Sequence, residues 1–456
     1  MIEFLNAAFT DVQLGFLGFV TLIMLVAIRI PLSLSLFAVG LIGLWLVDGK
    51  PNGATTRLAD EIFGTFTRYS FTIIPLFILM GEFALRGGLG RALFDAASLA
   101  MGRRPGGGAM AAIGASAGFG AVCGSSLATA STIGKVALPE LRRLGYSGGF
   151  ATGTLAAGGT LGILIPPSLL LVIYSILAEQ NIAKLFAAAL IPGIFAAASY
   201  MVVIWFLAKM GQVTSGEDAK NLPLSLSEKR AVYARVWPVI LIFILMFGGL
   251  YSGWFSPTTA ASIGASGTGI VVWLQGRMNW EQLSESLVSA LTTSVMILMI
   301  IAGANIFNSF LASAGIPDFF ATVVSESATS PIMIIVGILL IYLLLGMIMD
   351  SLAMIFLTVP IFLPIVIGLD FGFSTVEEGL IWFGILVLMA AEIGLITPPV
   401  GLNLFVINSL SKDVPINATY KGVLPFIIVD LFRLGLLVAF PGIALWIVRA
   451  LYSFVS

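Results

Sequence analysis

The sequence predicts an all-α protein that crosses a membrane many times and consists of two related halves. Of its 456 residues, 59% are hydrophobic and only 10% are charged, whereas soluble domains carry about 25% charged residues. Apolar runs long enough to span a bilayer recur along nearly the whole chain. Motifs of the first half also return in the second half in the same order, which is the pattern of a duplicated membrane protein.

The composition excludes several classes of function. The chain has no histidine and a single cysteine, Cys123, so imidazole metal ligands, histidine proton relays, intrachain disulfides and CxxC redox sites are not available. The net charge is −1, and without a basic domain nucleic acid is not an expected partner. The expected surroundings are a lipid bilayer and small molecules.

Apolar runs predict the membrane helices, and their interruptions predict irregular segments. The continuous runs are 12–28, 32–47, 69–85, 150–178, 185–207, 236–254, 258–274, 288–312, 379–410 and 422–448. Two of them, 150–178 and 379–410, carry a Pro-Pro pair in the middle and are predicted to be broken helices. Two further regions, 106–139 and 332–366, have Gly, Ser, Thr or Asp at their centres and are predicted to be helical hairpins.

The two halves align by their motifs. The string SLATASTIGKVALPEL, beginning at Ser126, can be laid over SLAMIFLTVPIFLPIV, which begins at Ser351, 225 positions later. The pair Pro166-Pro167 corresponds to Pro398-Pro399, 232 positions later. Landmarks in the same order at nearly constant spacing predict a duplication of a unit about half the chain long.

Charges beside the two hairpin regions predict that the halves are inverted in the membrane. The arginines that flank the first region are Arg103, Arg104, Arg142 and Arg143, and the acids that flank the second are Glu326, Asp370, Glu377 and Glu378. Because basic residues favour cytoplasmic loops, we expect re-entrant hairpins that enter from opposite faces. The predicted units are a first inverted repeat, 1–207, a cytoplasmic linker, 208–235, and a second inverted repeat, 236–456.

The tip of the first hairpin is predicted to be GSSLATASTIG, from Gly124 to Gly134, and to form a cation site. Its hydroxyl oxygens come from Ser125, Ser126, Thr129 and Thr132. Neutral hydroxyl and carbonyl oxygens are suitable ligands for a sodium ion, as in other transporters with broken helices. The alternative is that small residues only permit close helix packing. Their clustering at one hairpin favours the cation site.

The two Pro-Pro breaks are predicted to belong to the same site. Two prolines in succession force an unwound stretch, which exposes carbonyl groups and half-helix ends that can hold cations and carboxylates. The alternative is a kink needed for packing. The recurrence of the break in both halves favours the functional interpretation.

Acidic residues at membrane depth are the remaining candidates. Asp350 stands at the centre of the second hairpin, where an ionised carboxylate is costly unless it is paired or hydrated. It can also cap the helix that follows. Glu82 and Glu392 are weaker candidates, and Asp430 with Arg433 is predicted to be a structural pair because the two are one helical turn apart.

Four strings resemble the large membrane subunit of the tripartite ATP-independent periplasmic (TRAP) transporters. They are GSSLATASTIGKVALPELRRLGYS, GTLGILIPPSLLLVIYSILAEQNIAKLFAAALIPG, LLLGMIMDSLAMIFLTVPIFLPI and AAEIGLITPPVGLNLFVINSLS. The resemblance extends from about residue 12 to residue 450. It implies an elevator-type secondary transporter of the bacterial inner membrane, similar in fold to the divalent-anion/sodium symporters of the ion-transporter superfamily, and not an enzyme.

The resemblance also implies partners and an energy source. In this family, a sodium gradient drives the uptake of small organic acids, such as C4-dicarboxylates or sugar acids. A periplasmic substrate-binding protein delivers the acid, and a small four-helix membrane subunit braces the scaffold. We expect that subunit to be a separate chain, and we expect no cofactor other than sodium as the coupling ion.

Carried over residue by residue, the resemblance implies binding sites at the hairpin tips and the helix breaks. Sodium binding is expected at Ser125, Ser126, Thr129, Thr160, Gly162, Asp350, Ser351, Gly394, Thr397 and Gly401. Substrate binding is expected at Ser126, Pro166, Ser168, Asp350, Pro398 and Asn403.

Three other functions stay open on the residues alone. The first is a proton-coupled permease, or one driven by a partner ATPase. The second is an intramembrane enzyme, which needs a paired nucleophile and base, and Lys135 is poorly placed for Ser126 nine residues earlier. The third is a passive channel. The inverted repeat with broken helices favours alternating access over a continuous pore.

Overall fold

The protein is described by a computed structural model over residues 9–49, 51–101, 104–211, 225–326 and 329–452, and all regular structure in these ranges is helical. The helices are α1 (Asp11–Ala27), α2 (Leu32–Asp48), α3 (Pro51–Thr67), α4 (Ile73–Arg86), α5 (Leu89–Met101), α6 (Gly107–Cys123), α7 (Ser126–Arg143), α8 (Gly148–Leu164), α9 (Leu169–Leu177), α10 (Ile182–Lys209), α11 (Leu226–Ala234), α12 (Trp237–Tyr251), α13 (Pro257–Leu274), α14 (Trp280–Ser313), α15 (Ile316–Glu326), α16 (Pro331–Gly346), α17 (Ser351–Ile367), α18 (Val376–Ile396), α19 (Leu402–Ser409), α20 (Ile416–Ala439) and α21 (Gly442–Tyr452). Arg103, the side chain of Glu326 and residues 212–224 of the predicted linker lie outside the described residues.

Several helices are long and apolar enough to cross a membrane. Within the described ranges, six segments meet this criterion by length and composition: Tyr69–Arg86, Ile182–Lys209, Ser227–Tyr251, Trp280–Ser313, Val376–Ile396 and Ile416–Ala439. The bent pair α8 and α9, with an angle of 46° at the break, is a seventh candidate. Shorter apolar helices accompany them, among them α6 of the first hairpin and both arms of the second, α16 and α17. The prediction of an all-α polytopic membrane protein is confirmed.

Two helix pairs occupy the predicted hairpin regions, α6 with α7 and α16 with α17. Only Gly124 and Ser125 separate the arms of the first pair, whereas 347–350 separate the arms of the second. The expectation that the first tip extends to Gly134 is therefore wrong. The Ser125 carbonyl accepts the N–H of Thr129 at 3.0 Å. This is the first hydrogen bond of α7, so the helix begins directly after Ser125.

Both Pro-Pro pairs lie where the sequence predicts broken helices. The first break separates α8 from α9 at 165–168, and the second separates α18 from α19 at 397–401. Proline cannot donate the backbone hydrogen bond that a continuous helix requires. The Pro166-Pro167 and Pro398-Pro399 peptide bonds are cis. Gly401 ends the second break with a φ of +63°, a conformation that favours glycine.

Most of the helices pack in two groups that meet at both hairpins. In the core group, α6–α10 and α16–α21, the broken helices α8 and α18 pack on each other, and α18 is buried from Gly379 to Ile396. In the outer group, α1–α4 and α12–α14, α2 packs on α14 and α4 packs on α13 and α14. Helix α4 also contacts α6 and α9, and α14 contacts α17, so the outer group reaches both hairpins and the first break.

Candidate functional site

Both hairpin tips line one cavity of about 190 Å³. The first tip contributes 123–128 and the second contributes 350–352. From the outer group, Glu82 of α4 and Thr293 of α14 also line it. No lysine or arginine of the described chain lines this cavity. Its polar side chains are therefore hydroxyls and carboxylates.

A buried carboxylate joins the two tips. Glu392 of α18 is 1% exposed, and its Oε2 accepts a hydrogen bond from Ser126 Oγ. Its Oε1 accepts one from Ser351 Oγ at 3.3 Å. On sequence alone this residue is only a weaker candidate, although it lies 232 positions after Thr160 and thus holds the corresponding place in the repeat. Its position between the tips makes it part of the site.

The first tip and the first broken helix approach closely around an oxygen that lacks a hydrogen-bond partner. A Cβ on Gly162 would lie 2.5 Å from Thr129 Oγ1 and 2.7 Å from the Ser125 carbonyl oxygen. Thr129 Oγ1 is buried and has no partner among the described residues. Because an unsatisfied buried hydroxyl costs about 1–3 kcal/mol, this oxygen is suited to a ligand. Three residues of the predicted sodium site therefore meet here.

A similar close approach occurs in the second half. A Cβ on Gly394 would lie 2.5 Å from Gly346 Cα, and in the first half a Cβ on Gly120 would lie 2.3 Å from Gly162 Cα. Gly162 and Gly394 are 232 positions apart, the same offset as the Pro-Pro pairs. In both halves, the first arm of the hairpin therefore contacts the broken helix shortly before its break.

Three further predicted residues surround the second break and the centre of the core. The N–H of Gly401 donates to the Met347 carbonyl at 3.2 Å, which ties the break to the second tip. Asn403 is fully buried, its Nδ2 donates to a carbonyl of α8 at 3.4 Å, and its Oδ1 has no partner within the described chain. The Thr397 hydroxyl donates to a carbonyl of its own helix at 2.6 Å.

Of the fourteen predicted residues, Ser125, Ser126, Asp350 and Ser351 line the cavity and the other ten do not, among them Thr160, Pro166, Ser168 and Pro398. The Thr160 hydroxyl donates to a carbonyl of α8 at 2.7 Å and contacts the Tyr200 hydroxyl at 3.3 Å. Ser168 Oγ accepts a backbone N–H of α9 as its N-cap. Pro166 and Pro398 lie inside the breaks. These residues shape the core around the cavity.

Asp350 both caps a helix and lines the cavity. Its Oδ2 accepts the N–H of Leu352 at 3.2 Å, so it is the N-cap of α17 and the predicted capping role is confirmed. A carboxylate is favoured at a helix N-terminus by the partial positive charge there. Because Asp350 also lines the cavity, its charge is available to a bound cation.

A buried ion pair lies next to Thr160. Asp430 and Arg433 are each 1% exposed and form a salt bridge on α20. The Tyr200 hydroxyl of α10 donates to Asp430 Oδ2 at 2.6 Å. The guanidinium of Arg433 lies 4.9 Å from the centre of the Tyr200 ring. These contacts connect α10 to α20.

This arrangement suits a monovalent cation better than a transition metal or a divalent ion. In the part of the chain that the structure describes, no group of three or more His, Cys, Asp or Glu residues could hold a metal ion. The oxygens at the tips are hydroxyls, carbonyls and single carboxylates. Calcium prefers six to eight oxygens, with several carboxylates among them, whereas neutral oxygens and unwound backbone serve sodium in transporters.

Residues 19–443 match the family described as "Tripartite ATP-independent periplasmic transporter, DctM component". The chain is 34% identical over 389 residues to the C4-dicarboxylate TRAP transporter large permease protein DctM of Pseudomonas aeruginosa, with 85% of this chain and 88% of the relative covered. It is 31% identical over 431 residues to the isethionate TRAP transporter permease protein DctMQ of Oleidesulfovibrio alaskensis, which covers 94% of this chain and 65% of that longer relative.

A solved transporter has a similar fold. The crystal structure of the YdaH transporter of Alcanivorax borkumensis matches with a TM-score of 0.61 and covers 86% of this chain and 89% of its own. The sequences are only 13% identical, so the likeness concerns the fold alone. This likeness in fold agrees with the assignment of the chain as an all-helical membrane protein.

Proposed function

The chain belongs to the DctM component family of the tripartite ATP-independent periplasmic transporters, and we propose that it imports a small organic acid together with sodium ions. As a member of that family it is a large permease subunit and a multi-pass membrane protein. The observation that carries the proposal is the meeting of both hairpin tips in one cavity lined by Asp350 and by serine and threonine hydroxyls.

Sodium coupling is supported by the oxygens around the first break. Thr129 Oγ1 is buried without a partner among the described residues, and the Ser125 carbonyl lies beside the same glycine, Gly162. A sodium ion there would satisfy the hydroxyl and draw the tip onto the broken helix. In the second half, Asp350 and the segment around Gly394 and Thr397 offer the corresponding oxygens.

The substrate is proposed to be a small anion bound at the same tips. Helices α7 and α17 begin at the cavity with Ser126 and Ser351, and helix N-termini attract carboxylates. Because no basic side chain of the described residues lines the cavity, sodium would supply the remaining positive charge. The relatives named for a C4-dicarboxylate and for isethionate support a small anion of this kind.

The proposed transport step is an elevator movement. The core group, with both hairpins and both broken helices, would move as one body against the outer group. Its support is the division of most of the packing into two groups that meet along α4 and α14. We propose that the two halves lie inverted in the bacterial inner membrane. A small membrane subunit and a periplasmic binding protein would complete the transporter, because the family is tripartite.

Uptake by the complete complex in proteoliposomes tests the proposal. With binding protein outside, an inward sodium gradient and no ATP, we expect labelled C4-dicarboxylate or another candidate acid to accumulate, and removal of the binding protein should stop it. Asp350→Asn keeps an N-cap oxygen but removes the charge, so it should lower sodium-driven uptake at least tenfold. The control is Asp370→Asn, an exposed loop residue whose Oδ1 accepts the N–H of Gly372 two residues later.

The outcome distinguishes the main proposal from its rivals. Uptake that is indifferent to sodium but follows a proton gradient or requires ATP would reject sodium coupling. Full transport by Asp350→Asn would reject the role of that carboxylate. Equal loss in the Asp370→Asn control would mean that the effect is not specific to the tip.

A further inference from the structure

We propose that Glu392 couples the two hairpin tips, so that a sodium ion bound at one tip strengthens sodium binding at the other. The inference rests on the proposed function, since it requires sodium at the tips. Glu392 acts through Ser126 and Ser351 and is therefore a positioning residue.

The geometry makes one carboxylate common to both tips. Ser126 is the first residue of α7 and Ser351 is the first residue of α17. Each donates its hydroxyl to a different oxygen of Glu392. The two serines are 225 positions apart and correspond in the repeat, so equivalent atoms of the two halves are held by a single side chain of the second half.

The counterpart of Glu392 in the first half cannot perform this task. Thr160 directs its hydroxyl to a carbonyl of its own helix and to Tyr200. It has no carboxylate with which to accept two hydrogen bonds at once. The link between the tips therefore depends on one residue, whereas the glycine contacts between hairpin and broken helix occur in both halves.

Because one Glu392 side chain serves both tips, the link between them is cooperative. The side-chain hydrogen-bond donors to Glu392 in the described chain are the two serine hydroxyls, and each belongs to a helix N-terminus that carries about half a positive charge. A buried carboxylate needs such compensation. When one tip moves away, water can reach the carboxylate, and the remaining hydroxyl then competes with that water. Each tip is thus held best when the other is in place.

Cys123 provides a reporter for the first tip. It is the only cysteine of the chain and lines the cavity beside Gly124. In membranes that contain the complete transporter, alkylation of this chain by N-ethylmaleimide would be followed by mass while sodium replaces potassium at constant ionic strength. Sodium should slow the alkylation in the wild type, because it orders the first tip.

The decisive variant changes only the second tip. Ser351→Ala removes a hydroxyl that contacts Glu392, yet it should raise the sodium concentration that half-protects Cys123 at least about fivefold. Glu392→Gln should do the same, and Ser351→Ala should add no further shift in the Glu392→Gln background. The control is Ser175→Ala, a buried serine whose hydroxyl donates to its own helix, and it should leave protection unchanged.

Each result decides between the inference and its alternatives. Wild-type protection of Cys123 in Ser351→Ala overturns the coupling, as does an additive shift in the double variant. If Glu392→Gln does not accumulate in the membrane, Ser351→Ala alone decides. Sodium-driven uptake without any protection of Cys123 in the wild type contradicts the inference, whereas absence of both sodium-driven uptake and protection contradicts the proposed function itself.

Discussion

At the scale of single residues, the site depends on oxygens that the fold leaves without protein partners. Thr129 Oγ1 and Asn403 Oδ1 are both buried without a hydrogen-bond partner among the described residues. Such atoms are costly in an apolar interior. A cation or a substrate that binds to these oxygens during transport would explain why they lie near the tips without a protein partner in the described chain.

This argument predicts opposite effects of one substitution on stability and on sodium response. Thr129→Val removes the unpartnered hydroxyl but keeps the shape, so the sodium-free melting temperature should stay equal or rise by a few degrees. The stabilisation by added sodium should disappear, because the ligand oxygen is gone. Thermal melting of the purified complex with and without sodium measures both effects.

A matched control is available in the same core group. Thr154 of α8 is also buried with an unpartnered Oγ1 within the described chain, but it precedes Gly162 by eight residues on the same helix, about 12 Å along the helix axis. Thr154→Val should leave the sodium response intact. A normal sodium response of Thr129→Val would remove Thr129 from the proposed sodium site.

At the scale of secondary-structure elements, the hairpins and the breaks form a unit because glycine lets their backbones approach. Gly120 meets Gly162 in the first half, and Gly346 meets Gly394 in the second. Close backbone approach through small residues is a common way to pack helices in membranes. Here it also holds the hairpins beside the segments that the prolines unwind.

The first of these contacts yields a prediction about an element. Gly162→Ala places a Cβ 2.5 Å from Thr129 Oγ1 and 2.7 Å from the Ser125 carbonyl, so the tip must move away from the broken helix. Sodium-driven uptake should fall at least tenfold while the protein still inserts. In Gly337→Ala of α16, nothing lies within 4 Å of the added Cβ, so its uptake should remain normal. Normal uptake by Gly162→Ala would refute a tight tip at this break.

At the scale of the whole molecule, a buried ion pair joins helices from the two predicted halves. Asp430 and Arg433 belong to α20. The hydroxyl of Tyr200 on α10 donates a hydrogen bond to Asp430, and the guanidinium of Arg433 lies over the Tyr200 ring. Removal of one partner of such a pair leaves an uncompensated charge, which typically costs about 3–5 kcal/mol. The pair therefore contributes to keeping the core group together.

The corresponding prediction compares a single with a double substitution. Arg433→Met leaves Asp430 buried without its counter-charge and should lower the melting temperature by several degrees. The double variant Arg433→Met with Asp430→Asn removes both charges and should recover part of that loss. A double variant that melts lower than the single one would contradict the charge argument.

The sequence alone determined the class of fold and the position of its irregular parts. Few charges, recurrent apolar runs and two Pro-Pro pairs are local properties, because each follows from the solvation or backbone geometry of a short segment. The structure has helix breaks at both Pro-Pro pairs and a helix pair in each predicted hairpin region, while the division into two repeats and a linker stays a prediction. The inverted orientation of the halves stays a prediction that rests on flanking charges.

Only the tertiary structure decided which groups meet. Glu392 looked like one acidic residue among several, yet the packing of α18 puts it between Ser126 and Ser351, which precede it by 266 and 41 positions. The extent of the first tip likewise depended on the cap formed by Ser125. Contacts between distant segments are set by how helices pack, and a single sequence carries no direct record of them. The sequence therefore predicted the oxygens, and the fold determined which carboxylate joins them.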